Sequence, residues 1–163
     1  MYIYFLRHAI AAESGQFKND ADRPLTDEGV KKMQKAAKGM KRLNLGIDRV
    51  ISSPYVRARQ TAEIAAAALG LDKDIQFDDS LTPDAMVSDF LKLLGKIPSN
   101  ATPLLVGHEP TMSLFIAALV SRSGDTALEM KKGGLSLIRL SQLTRGGGTL
   151  EWLVPPGLLR ELA

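Results

Sequence analysis

A chain of 163 residues, 45% of them hydrophobic, is the size of one compact domain with an ample core, which excludes disordered and fibrous classes. The absence of cysteine excludes disulfides, a cysteine nucleophile and thiolate metal sites, and two histidines argue against a multi-histidine metal centre. The net charge of +3 is spread over both halves, with 6% aromatics and no basic tail; it favours anionic ligands slightly and is no nucleic-acid signature.

In chain order, Tyr2 to Leu6 reads as a first strand, followed by a helical pattern over Asp27 to Leu43. A second strand spans Asp48 to Ser52, a helix Pro54 to Leu69, a short strand lies near Ile75 to Phe77, and a helix follows over Asp84 to Leu94. Leu104 to Gly107 forms another strand and Pro110 to Ser121 another helix. The strands are apolar without alternation, which suits strands covered on both faces in a mostly parallel sheet. Leu135–Leu140 and Thr149–Val154 flank a Gly146-Gly147-Gly148 turn and read as an antiparallel hairpin, after which Pro155-Pro156-Gly157 ends the last strand before a short tail. The expectation is a three-layer α/β/α sandwich, mostly parallel with an antiparallel C-terminal hairpin, as a single domain over residues 1–163. The start of the chain lacks a signal-peptide pattern, and no run approaches the roughly 20 apolar residues of a spanning helix, so a cytoplasmic protein without membrane contact is expected. A monomer is compatible with the sequence, which does not set the oligomeric state.

Both histidines close strands. His8 follows Phe5-Leu6-Arg7, and His108 follows Leu104-Leu105-Val106-Gly107. The C-terminal ends of parallel strands are where open α/β sheets bind ligands. Two helix starts frame the same region. Thr26 can cap a helix whose first turn holds Asp27 and Glu28, and Ser53 can cap one with Pro54 at its first position, which puts Arg57 one turn in.

Four ordered segments carry a family resemblance: Leu6-Arg7-His8-Ala9, Pro24-Leu25-Thr26-Asp27-Glu28-Gly29, Ser52-Ser53-Pro54-Tyr55-Val56-Arg57-Ala58-Arg59-Gln60-Thr61-Ala62 and Val106-Gly107-His108-Glu109-Pro110. Covering most of residues 2 to about 120, they resemble the histidine phosphatase superfamily, with its phosphoglycerate-mutase-like fold, and within it the small SixA-type phosphohistidine phosphatases. The resemblance implies catalysis through His8, Arg7, Arg57 and His108. The residue types fit such chemistry. A neutral imidazole of His8 can take the phosphoryl group covalently, and water then releases it. Arg7 and Arg57 are permanently charged forks for the phosphoryl oxygens, and they also disfavour protonation of His8. His108, if protonated when the dianion is bound, donates a further hydrogen bond. No cofactor and no metal is expected.

Two departures from the family pattern matter. Ala9 stands where glycine is commonest, and the stretch Ser80-Leu81-Thr82-Pro83-Asp84 puts proline where larger relatives have a proton-donating glutamate. An alkoxide leaving group depends on a positioned donor by about 10²–10⁴-fold, whereas the imidazole of a phosphohistidine needs far less help. The expected partner is therefore a phosphohistidine-bearing protein, with Ala11 to Arg23 as the main candidate lid over an open pocket. A small phosphoester acted on by a general phosphomonoesterase or mutase, with Asp84 or its neighbours Asp78 and Asp79 as donor, is the alternative. A phosphate-binding module without turnover is the alternative from another class.

Overall fold

The computed structural model describes residues 1–72 and 74–163. Six strands, β1 (Tyr2–Arg7), β2 (Arg49–Ser52), β3 (Ile75–Phe77), β4 (Pro103–Gly107), β5 (Leu135–Leu140) and β6 (Gly148–Val154), form one sheet in the order β3-β2-β4-β1-β5-β6. The pairings from β3 to β1 are parallel, and β1–β5 and β5–β6 are antiparallel. The mixed sheet expected from the sequence is thus present.

The unbroken apolar runs have a direct cause, since the two faces of β1 enter two different cores. Tyr4 and Leu6 pack with Val50, Leu104 and Val106 against α1 (Asp27–Arg42), α2 (Val56–Leu69) and α5 (Pro156–Glu161). Ile3 and Phe5 pack with Ile51, Leu105 and Ile138 against α3 (Val87–Lys96) and α4 (Thr111–Val120). In the second core the Phe90 ring stacks on Phe115 at 4.1 Å and tilts against Phe5 at 5.8 Å. Fully burying one such side chain is worth about 1.5–3 kcal/mol. α4 is apolar nearly all round, as a helix enclosed by sheet and neighbours must be. No described helix is long and apolar enough to cross a membrane.

This layering locates the site. β1 and β4 are parallel neighbours, with Arg7 opposite Gly107, yet α1, which follows β1, lies on one face and α4, which follows β4, on the other. The chain segments leaving the two strand ends diverge, and the divergence opens a crevice there.

Three elements differ from the sequence expectation. α2 begins at Val56 rather than Pro54, because the Ser53 hydroxyl is engaged by a buried ring and Tyr55 takes the N-cap position without a side-chain cap bond. α3 begins at Val87 rather than Asp84, since Thr82 to Ala85 closes a separate turn and Met86 is extended. The tail after the last strand is a helix, α5, with Pro156 at its start and Leu159 fully buried. Gly39 of α1 permits that docking, because a Cβ there would overlap the Leu159 carbonyl oxygen.

Candidate active site

The parallel ladders continue past the strand ends. His8 N–H donates to Gly107 O at 2.9 Å, and Ser53 N–H to Val106 O at 2.9 Å. His8, Ser53 and His108 therefore lie side by side along the C-terminal rim of β1, β2 and β4. The two imidazoles are 5.1 Å apart between centroids and almost fully buried, 6% and 1% exposed.

His8 is oriented by its own backbone. Its Nδ1 lies 2.7 Å from Ala9 O, and a carbonyl only accepts, so Nδ1 carries the proton and Nε2 the free lone pair. Nε2 has no hydrogen-bond partner among the described residues, and His8 lines the pocket. Burial, more than the nearby Arg57, Arg7 and Lys132, pushes the His8 pKa down to about 3, against the pull of the Ala9 carbonyl. The cations named by sequence reasoning do contribute, and desolvation contributes more.

Arg57 enters from the first turn of α2 and is 3% exposed. Its guanidinium donates to Asp20 O at 2.7 Å and to Asp20 Oδ2 at 2.8 Å, and it lies 5.2 Å from the Tyr55 ring, whose edge meets His108 at 5.2 Å. The same Asp20 carboxylate pairs with Arg23 Nε at 2.8 Å. Arg57 Nε–H is buried without a partner among the described residues. Two further residues of α2 fasten the helix to the site. Thr61 Oγ1 accepts from Ala9 N–H at 3.0 Å and donates to Arg57 O at 2.7 Å, while Gln60 Oε1 accepts from Leu25 N–H at 2.7 Å. Thr26 caps α1 as expected, accepting from Gly29 N–H at 2.9 Å, a cap of about 1 kcal/mol.

Arg7 is fixed by a strap preceding β5. It donates to Met130 O at 2.7 Å, and Gly133 N–H donates to Arg7 O and His8 O at 3.1 and 3.2 Å. Gly133 has φ of +78°, a left-handed turn that a residue with a side chain would strain. The strap is itself held by Glu109, whose Oε1 accepts from Met130 N–H at 2.9 Å and Ser113 O–H at 2.6 Å.

All four residues singled out in the sequence, Arg7, His8, Arg57 and His108, line one pocket of about 490 Å³. Ala11, Ala12, Glu13 and Ser14 form part of its wall, so the segment considered as a lid does border it. Arg23, Lys132 and Glu109 line it as well and were not singled out as site residues. Arg23 stands inside the Arg23-Pro24-Leu25 stretch and could have been found by its adjacency to a recognised segment; Lys132 arrives on the distant strap and had no local signal. Asp84 is exposed and outside the pocket lining, and Asp78 accepts from Ser80 N–H within its own turn. The His108 pKa falls to about 2, through burial first and then His8 and the arginines, so both rings are neutral. Four cationic side chains against two carboxylates make this an anion pocket.

Sheet, crevice and pocket together define an α/β protein with a cation-lined pocket beside two neutral imidazoles at its strand ends. The model of the histidine phosphatase superfamily (branch 1) matches residues 3–82. Phosphohistidine phosphatase SixA of Escherichia coli (strain K12) is 29% identical over 159 residues, 96% of this chain and 94% of that protein. An uncharacterized protein of Picosynechococcus sp. is 36% identical over 141 residues, 85% of each chain. A structure of the protein histidine phosphatase SixA complexed with tungstate superposes with a TM-score of 0.86 at 28% identity, covering 98% of this chain and 99% of that one. The chain belongs to the histidine phosphatase superfamily and is a phosphatase with the SixA-like, phosphoglycerate-mutase-like fold.

Proposed function

We propose that the protein hydrolyses phosphohistidine on a partner protein, in the cytoplasm and without a metal, through a phospho-His8 intermediate. The observation that carries the reading is the Nδ1 bond of His8 to Ala9 O, which leaves Nε2 unprotonated in the pocket between Arg7, Arg57 and His108. In the first step Nε2 bonds to phosphorus as the substrate's N–P bond breaks. With its other nitrogen protonated, the substrate imidazole leaves as the neutral molecule and takes no proton from the enzyme. In the second step water attacks phosphorus, the His8–phosphorus bond breaks, and inorganic phosphate departs with His8 neutral again. Arg7 and Arg57 hold the equatorial oxygens, whose charge is what such a site stabilises. His108 adds a hydrogen bond.

The choice of an N–P substrate follows from the acids in reach. Glu109 is committed to the strap, its Oε1 already accepting from Ser113 O–H and Met130 N–H. Asp84 is outside the lining. The name of the Escherichia coli relative supports the same substrate. The second reading, a general phosphomonoesterase, is favoured by Glu13, an exposed carboxylate on the pocket wall.

Turnover of a phosphohistidine peptide, phosphoserine and an aryl phosphate separates these readings. Phosphohistidine is expected to exceed phosphoserine by about 10²-fold or more in kcat/KM, the size of a missing donor, with the aryl phosphate in between. Equal efficiency on phosphoserine, lost in Glu13→Gln, would establish the phosphomonoesterase. Stoichiometric binding without phosphate release would show a binding module.

A further inference from the structure

Ser53 is fully buried, and its hydroxyl has two neighbours: the Tyr55 N–H at 3.3 Å and His108 Nε2 at 2.9 Å. A hydroxyl has one proton to give and two lone pairs. The Tyr55 amide is a donor and takes a lone pair. Among the described residues the Ser53 proton then has one acceptor, His108 Nε2. The arrangement that satisfies every group has Ser53 O–H donating to Nε2, which places the single proton of a neutral His108 ring on Nδ1. That Nδ1 is buried without a partner among the described residues, in a ring that lines the pocket with His8.

We propose that Ser53 is a positioning residue that fixes His108 as the Nδ1–H tautomer and keeps the ring neutral, so that His108 presents one proton to a phosphoryl oxygen without becoming an imidazolium. Charging the ring would turn Nε2 into a donor toward Ser53 and strip the Ser53 proton of its acceptor. The downward pKa of His108 agrees with a ring kept neutral. It is the alternative to the sequence-based expectation that His108 protonates when the dianion binds. The catalytic use of that proton rests on the phosphatase reading, whereas the tautomer does not.

Nitrogen-15 spectra of the full chain labelled at its two histidines, free and with inorganic phosphate, test the proposal. His108 is expected to show a protonated Nδ1 and an unprotonated Nε2 in both states. Ser53→Ala should lose that single-tautomer pattern and reduce kcat/KM about 10-fold, the effect of one hydrogen bond, and Ser53→Thr should restore both. A wild-type proton on Nε2, a cationic His108 ring with phosphate bound, or an unchanged Nδ1–H state in Ser53→Ala would each overturn it. If Ser53→Ala does not fold, the wild-type spectra decide alone. Failure of the phosphatase reading would look different, with no turnover and the His108 pattern intact.

Discussion

The two halves of the site are held by different means. On the β1 half, Arg7 and His8 are oriented by main-chain carbonyls, those of Met130 and Ala9. On the other half, His108 rests on the Ser53 hydroxyl, and Arg57 on the Asp20 carboxylate as well as the Asp20 carbonyl. A carbonyl anchor survives any substitution that spares the backbone, and it accepts only, so it fixes proton positions outright. Side-chain anchors can be removed singly, and a hydroxyl can both give and take. The β1 half is therefore the rigid reference, where the proposed nucleophile stands, and the other half is the one that substitution can tune.

The largest expected effect comes from the rigid half. His8→Ala should lower kcat by more than about 10³-fold, as loss of a covalent nucleophile does. Thermal stability should be nearly kept, because His8 stands at the rim and its main-chain bonds to Gly107 and Gly133 remain. Acid-quench mapping of the phosphorylated residue checks the assignment directly. Wild-type turnover, or phosphate found on another side chain, would move the nucleophile elsewhere and undo the division between the halves.

Arg57→Lys comes next. Charge is kept, but a lysine cannot hold two Asp20 oxygens and still offer the remaining N–H donors to a ligand. A loss of about 10²-fold in kcat/KM is expected, with weaker vanadate binding in parallel. Unchanged kinetics and vanadate affinity would place Arg57 outside the working pocket.

How far the sequence foretold this depends on where each partner comes from. Strand-end chemistry is local: Arg7 and His8 follow an apolar run directly, His108 follows another, and alternation of strands and helices gives the layers. The orienting groups are not local. Met130 lies 123 residues from Arg7, and Asp20 lies 37 from Arg57 in a stretch readable only as a polar loop. Gln60 and Thr61 were visible within a recognised segment, yet their bonds to Leu25 and Ala9 depend on how two helices and a loop meet. α5 was unreadable because six residues are too few for a hydrophobic period. Ser53 was misread as a helix cap, since a hydroxyl before a proline fits that local rule and the competing acceptor, His108, is 55 residues away.

Asp20→Asn tests the tunable half more gently. The amide keeps an acceptor but loses the charge that pairs with Arg57 and Arg23, so Arg57 should be less firmly aimed. An increase in KM of about 10-fold is expected with a smaller change in kcat, the loss of one charge-assisted bond. Higher activity in the variant would give the opposite lesson, that the carboxylate competes with the phosphoryl group for the arginines.

The smallest expected effect concerns pH, and it treats the two halves alike. Both histidines are buried neutral, with pKa values lowered to about 3 for His8 and about 2 for His108. In the unfolded chain each takes up a proton near pH 6.5, while in the folded chain neither does until far lower pH. Between those limits the unfolded state binds more protons, so stability falls as pH drops below about 6.5. At and above neutrality the two rings leave stability flat. Denaturant midpoints measured from pH 8 to pH 5 should decline on the acid side, and less steeply in His8→Ala and in a His108→Gln variant taken separately. A similar reduction in both variants would show that burial keeps both rings neutral, whichever kind of anchor holds them. A reduction in one alone would mean that the other histidine titrates near its ordinary value in the folded protein, and that its half of the site is open to solvent.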